Sequence, residues 1–315
     1  MRLSLTTLAT AAAMAAAPAF ADVTVYTAGP AKLIDTLAKG FTAKTGIKVD
    51  VYQATTGKVM ARLQAEAAHP VADVVISASW DSATAMAKQG LLLPYTSPNS
   101  AHVPDFLKSD TAVAEGVSAL AIAWNPNSET PEPKDWSDLT KPAFKDKVTM
   151  PDPAQSGSAF ELVAALEAAQ GDQSLKDLAS NGAIVAGANA QALNPVLQGA
   201  KAAVFGAVDY ISLAAAAKGE AVKVIFPASG TVIAPRPAMI LKSSSHPEEA
   251  KKFIDYMLSE LGQEAVAATY LMPARTDVAA KRPGIAELKR LPFDTEKAYG
   301  SRKETLAGFA KMFAK

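Results

Sequence analysis

The sequence predicts an α/β protein of two lobes, in which a mostly parallel sheet with helices on its faces is followed by a second sheet of the same kind. Three observations predict it. Between residues 23 and 90, short apolar runs of period two alternate with runs of helical period, the pattern of parallel strands joined by helical crossovers. From Asn125 to Pro133 the composition turns to proline and polar residues, and a second set of strand and helix signals begins beyond it. The chain has 315 residues, 49% of them hydrophobic and spread over the whole length, which is enough to fill two moderate cores.

The elements follow in order. Met1 to Leu5 carries one basic residue, an alanine-rich apolar stretch comes next, and Pro18-Ala19-Phe20-Ala21 ends in an Ala-x-Ala exit. This is the pattern of a secretory signal peptide cleaved after Ala21, and its apolar part is shorter than the ~20 residues that a membrane span needs. With no cysteine in the chain, neither a lipid anchor at the new N-terminus nor a disulfide is available, so stability rests on core burial. The mature chain is expected in the periplasm as a soluble monomer.

Val23 to Thr27 reads as a strand, Lys32 to Lys44 as a helix stopped by Gly46, and Ile47 to Tyr52 as a strand. A helix from Lys58 to Ala68, an apolar strand from Ala72 to Ser77 and a short helix ending at Gly90 complete the first set. Val117 to Trp124 is a further strand, and Val148 to Met150, Ala183 to Ala186 and Ala202 to Gly206 belong to the second sheet. Crossover candidates are Asn125 to Pro133, and Val222 to Phe226 with Thr231 to Ala234. Two Ser-x-x-Glu capping boxes are expected to open helices, one at Ser158 and Glu161 and one at Ser245 and Glu248.

Charge is balanced, 31 basic against 31 acidic residues, and no basic run or arginine-aromatic cluster is present, which argues against a nucleic-acid partner. The three histidines, His69, His102 and His246, are far apart in sequence and lack metal-ligand spacing. Ser156 lacks the Gly-x-Ser-x-Gly elbow of a hydrolase nucleophile. No catalytic constellation, metal or cofactor is expected.

In open parallel sheets ligands bind beyond the carboxyl ends of strands. Loops rich in small polar residues stand at such places: Tyr26-Thr27-Ala28-Gly29, Ala54-Thr55-Thr56-Gly57, Ser77-Ala78-Ser79-Trp80 and Gln155-Ser156-Gly157-Ser158. Glycine lets the backbone approach, and hydroxyls donate without bulk, which suits an oxyanion at helix N-termini. Asp209 and Tyr210 follow another strand, and with Trp80 they offer a carboxylate and aromatic faces for an ammonium group. Arg236, between Pro235 and Pro237, either faces solvent or pairs with an anion.

From Val23 to about Val278 the chain resembles the periplasmic solute-binding proteins of ABC importers, in the group that contains the ferric-ion-binding proteins. The resemblance rests on Val25-Tyr26, Thr56-Gly57-Lys58-Val59 with Arg62-Leu63, Ala72-Asp73-Val74, Ser156-Gly157, Leu241-Lys242-Ser243-Ser244 with the run from His246 to Phe253, and Pro273 to Asp277. It implies a type II fold with two crossover segments, a ligand cleft between the lobes and delivery to importer membrane subunits. On this reading residues 22–124 and 227–315 form a discontinuous first lobe, and 125–226 form the second. Ferric members carry adjacent tyrosines in the loop that here reads Asp209-Tyr210-Ile211-Ser212, and usually a histidine or tyrosine after the first strand, where Thr27-Ala28-Gly29-Pro30 stands. A hard ferric ion needs several anionic oxygens, and these are too few. The Ser-Gly-x element that resembles the ferric proteins' anion holder is retained.

The expected ligand is therefore a small anion, a phosphonate such as 2-aminoethylphosphonate or a phosphate ester, at Tyr26, Thr27, Thr55, Thr56, Ser79, Trp80, Ser156, Gly157, Ser158, Asp209 and Tyr210. Ferric iron held with a synergistic anion is the alternative ligand. An exported hydrolase of phosphorylated compounds is the alternative of another class.

Overall fold

A computed structural model describes residues 22–314, so the expected leader lies outside the described residues. In chain order the elements are β1 (Val23–Thr27), α1 (Ala31–Thr45), β2 (Val49–Gln53), α2 (Thr56–Ala65), β3 (Val74–Ile76), α3 (Trp80–Lys88), β4 (Leu92–Leu93) and β5 (Val113–Trp124). Next come β6 (Val148–Met150), α4 (Gly157–Gln170), α5 (Gln173–Ser180), β7 (Ile184–Val185), α6 (Asn189–Leu197), β8 (Ala203–Val208), α7 (Asp209–Ala217) and β9 (Lys223–Ile225). The chain closes with β10 (Ile233–Leu241), α8 (Pro247–Met257), α9 (Glu260–Ala267), β11 (Met272–Pro273) and α10 (Thr295–Met312).

The strands follow the order β2-β1-β3-β10-β5-β8-β6-β7. β1 runs parallel to β2 and β3, and β6 parallel to β7 and β8, as the alternating pattern predicts. β10 is antiparallel to β3 and β5, and β5 antiparallel to β8. β5 is buried along its whole length, and it changes partners midway: Val113 to Ala119 pair with β10, while Leu120 to Trp124 pair with β8 and β9. The first sheet thus passes into the second inside one strand, and Thr231 and Val232, just before β10, bond back to Leu120. The compositional break at Asn125 marks where the chain leaves the sheet. The crossing itself lies a few residues earlier, because an apolar strand buried in both lobes carries no compositional mark there.

Each lobe has its own core. Leu33, Ile34, Leu37 and Phe41 form the buried stripe of α1, which packs on β1, β3 and α8, and Gly46, at φ 77°, ends the helix in the left-handed conformation that glycine adopts without strain. In the second lobe Leu120, Ile122, Leu162, Leu166 and Phe205 meet. Phe309 of α10 belongs to that second core, although the reading above gave the C-terminal segment to the first lobe. α10 in fact touches α3, α4 and α5 and lies across both lobes.

The two capping boxes do not form. α4 starts one residue before Ser158, with Ser156 as its cap accepting from the Ala159 amide at 3.2 Å. Glu161 then sits too far into the helix to reach back. α8 starts at Pro247, whose fixed φ suits a first helical position, so His246 takes the N-cap place and makes no side-chain cap. The Ala72-Asp73-Val74 motif proves structural. Asp73 is buried and accepts from the Thr24 amide at 2.8 Å and the Ser244 hydroxyl at 2.6 Å.

Candidate functional site

The starts of α1, α2, α4, α6 and α7 converge on one cleft of about 520 Å³ between the lobes. The first lobe contributes Ala28, Gly29, Tyr52, Gln53, Thr55, Thr56 and Lys58; the second contributes Gln155, Ser156, Asn189, Tyr210 and Ile211. Arg236, on the crossing strand β10, also lines the cleft. The lobes touch beside it, where the Gly57 amide donates to the Gln155 carbonyl at 3.3 Å.

The electrostatics are one-sided. Lys58 and Arg236 line the cleft and, among the described residues, no carboxylate does. Arg236 is only 1% exposed. Its Nη2 donates to the Ala28 carbonyl at 2.6 Å, its Nε stands 3.5 Å from Glu115 Oε2, and its guanidinium lies 5.9 Å from the Tyr210 ring centroid. Burial pushes the Glu115 carboxyl up against the pull of Arg236, and Glu115 Oε1 has no partner. Glu115 meets Arg236 through one contact of 3.5 Å. The N-termini that converge here add partial positive charge and unpaired amides.

Of the residues expected from sequence, Thr55, Thr56, Ser156 and Tyr210 line the cleft. Thr55 and Ser156 also cap their helices, so the stretch from Pro153 to Phe160 is both a helix start and a wall of the cleft. Thr27 lies beneath it, fully buried, with its hydroxyl accepting from the Gly29 amide at 2.8 Å. Ser158 bonds Ser156 Oγ at 3.2 Å from behind.

The remaining expected residues point elsewhere. The Tyr26 hydroxyl donates to Glu66 at 2.7 Å and its ring lies under Arg62; burial and the Glu66 carboxylate push the phenol up to about 12. Asp209 is fully buried, paired with Arg282, and accepts from the Ala119 and Tyr210 amides at 2.8 and 2.7 Å. Burial pushes its carboxyl up to about 6 despite Arg282, and it does not line the cleft. Ser79 is buried in the contact between lobes, Gly157 packs on it, and Trp80 faces a separate cavity on the hinge side. The ammonium-holding group expected at Asp209 and Trp80 is therefore not assembled.

Sequence reasoning missed Tyr52, Gln53, Lys58 and Asn189 as site residues. Arg236 carried a signal, a cation inside an apolar strand run, and Lys58 stands in the quoted Thr-Gly-Lys motif. Asn189 carried none.

A family model described as bacterial extracellular solute-binding protein matches residues 69–296. The Neisseria meningitidis serogroup A protein named major ferric iron-binding protein is 29% identical over 83% of each chain. A Salmonella typhi periplasmic protein provisionally named as 2-aminoethylphosphonate-binding is 27% identical over 88% of this chain and 87% of its own. Among solved structures, the periplasmic binding protein AfuA from Actinobacillus pleuropneumoniae, with exogenous fructose-6-phosphate bound, superposes with a TM-score of 0.85 at 22% identity, covering 93% of this chain and 98% of that one. Iron-bound HitA from Pseudomonas aeruginosa superposes with a TM-score of 0.80 at 24% identity, covering 93% and 99%. The chain belongs to the bacterial extracellular solute-binding proteins, a family of ABC-importer receptors and not of enzymes, and it has their type II α/β fold.

Proposed function

We propose that this solute-binding protein captures a phosphonate or phosphate monoester in the periplasm, after cleavage at Ala21, and hands it as a closed monomer to the membrane subunits of an ABC importer. The observation that carries the ligand class is the buried Arg236, which Glu115 meets through one contact of 3.5 Å, in a cleft lined by a second cation and, among the described residues, no carboxylate. An oxyanion there meets the guanidinium, Lys58, the hydroxyls of Thr55, Thr56 and Ser156, and the converging helix starts. The cleft of about 520 Å³ leaves room for an organic part beyond the oxyanion.

Ferric iron is the reading set aside. Tyr26 is held on Glu66 outside the cleft, and Tyr210 lies by the Arg236 cation, with its phenol pushed up by burial. A ferric ion would meet that cation where it needs anionic oxygens. The named relatives divide between iron and 2-aminoethylphosphonate, so both belong in the test. Calorimetric titration of ligand-stripped protein with 2-aminoethylphosphonate, a sugar phosphate, inorganic phosphate and ferric citrate is expected to show tight binding of an organic phosphonate or phosphate, lost by 100-fold or more (~3 kcal/mol) in Arg236→Ala. Heat from ferric citrate alone would overturn the ligand class.

A further inference from the structure

Glu161 was expected to close a helix cap, and it crosses to the other lobe instead. It lies in α4, fully buried. Its Oε1 accepts from the Trp80 amide at 2.7 Å and stands 2.9 Å from Ser79 Oγ, both at the start of α3 in the first lobe. Oε2 is buried without a partner. Ser79 Oγ also bonds Asp81 Oδ1, and Asp81 Oδ2 accepts from Arg302 Nη1 of α10 at 2.6 Å.

The protons in this chain can be counted. A serine hydroxyl has one proton and can give it to only one of two carboxyl groups. Arg302 stands against Asp81, whereas the contacts of Glu161 are with Ser79 and the Trp80 amide, so the serine proton goes to Asp81. The contact between Ser79 Oγ and Glu161 Oε1 then brings two oxygens together with no hydrogen between them, unless the hydrogen comes from Glu161. We infer that Glu161 carries a proton when the lobes are together, and that it is the positioning residue that couples closure to proton uptake: its hydroxyl donates to Ser79, Ser79 to Asp81, and Arg302 holds Asp81 from the C-terminal helix.

The surroundings support this. Burial raises the Glu161 carboxyl well above its ordinary value, the charge of Asp81 adds to the rise, and Arg302 only partly offsets it. The charged groups facing Glu161 are Asp81 of α3 and Arg302 of α10, with Arg290 and Glu296 across the cavity on the hinge side. α4 belongs to the second sheet and α3 to the first, so rotation about β5 and β10 separates them and lets water reach Glu161. The carboxyl then returns toward its ordinary value and releases its proton. Closure takes up a proton, so the closed state gains as pH falls between the open-state and closed-state values, at most about tenfold per pH unit.

The coupling acts on the cleft proposed above but can be read without a ligand. The chain has no cysteine, so Lys39→Cys on α1 and Lys218→Cys after α7 accept spin labels on opposite lobes, and the distance between labels is followed from pH 5 to 9. The unliganded protein is expected to shift toward the short distance as pH falls. Glu161→Gln, which cannot ionise, is expected to give a distance that does not change with pH. Glu161→Ala is expected to stay long. Asp209 and Glu115 also have raised values, and Glu161→Gln separates their effect from that of Glu161. An unchanged pH profile in Glu161→Gln would overturn the inference even if the alanine variant fails to fold. If the labels respond while no phosphonate or phosphate of the panel gives heat, the ligand reading fails and this one stands.

Discussion

Gly57 and Gly157 stand where the lobes meet, and adding one methyl group to either should wedge the cleft open. A Cβ on Gly157 would stand 2.6 Å from Ser79 Cβ and 3.2 Å from both the Ala78 carbonyl carbon and the Ser79 nitrogen. A Cβ on Gly57 would stand 2.6 Å from the Ala154 carbonyl oxygen. These neighbours are backbone or the first side-chain carbon, so neither can swing aside, and each belongs to the opposite lobe. Both glycines lie in the first turn of a helix, where alanine is at least as well tolerated as glycine. The cost therefore falls on closure and leaves each lobe's own folding intact. Overpacking by one carbon costs ~1–3 kcal/mol, which is a loss of ~5- to 160-fold in affinity for a ligand that binds the closed form. One rotation relieves both clashes, so the double variant should bind hardly worse than the poorer single one, in contrast to the additivity of independent sites. The assay is calorimetric titration of Gly157→Ala, Gly57→Ala and the double variant with the tightest ligand of the panel above, beside thermal melts without ligand. Wild-type affinity in Gly157→Ala, or a drop in melting temperature with affinity unchanged, would refute the account of these glycines as contact points of closure.

Removing two hydroxyls from the cleft in Thr56→Ala with Ser156→Ala should weaken binding by about 100-fold or more, since each donates to a charged oxygen at ~1.5–3 kcal/mol. The lost Ser156 cap should cost only ~1 kcal/mol of stability, and near wild-type affinity would place the anion elsewhere. Asp209→Ala leaves Arg282 as an uncompensated charge in a buried pair, so urea unfolding should show a loss of ~3–5 kcal/mol; a loss under ~1 kcal/mol would mean that Arg282 finds another partner. The Asp209 carboxyl, raised to about 6 in the fold, holds its proton more tightly folded than unfolded. Its contribution is fully present below pH ~4 and lost as pH rises through 6, so the stability of Asp209→Asn should fall less than that of wild type between pH 4 and 6.

Where the fold was legible, the signal was local. The helical spacing of Leu33, Ile34, Leu37 and Phe41 reports which face is buried, Val23 to Thr27 is a strand buried on both faces, and a parallel sheet follows from the alternation of the two kinds of run. The site was legible as a set of loops and not as a set of side chains. The expected loops of both lobes do reach the cleft, through Gly29, Thr55, Thr56, Ala78, Gln155 and Ser156. Loop topology places a Cα at the rim, however, and does not give the direction of the side chain. Asp209 turns back to Arg282 and the β5 backbone, and Trp80 turns to the hinge side. The Ser-x-x-Glu spacing at Ser158 and Glu161 shows the same limit, because that spacing is identical whether the carboxyl reaches back to its own helix or across to Ser79. What distinguishes the two is the neighbour, and the neighbour lies 82 residues away along the chain. The closure proposed above would bring backbone against backbone, which favours glycine, serine and alanine at the contact. The positions with the least side-chain information, Gly57, Ala78, Ser79 and Gly157, are consequently those on which closure depends most directly.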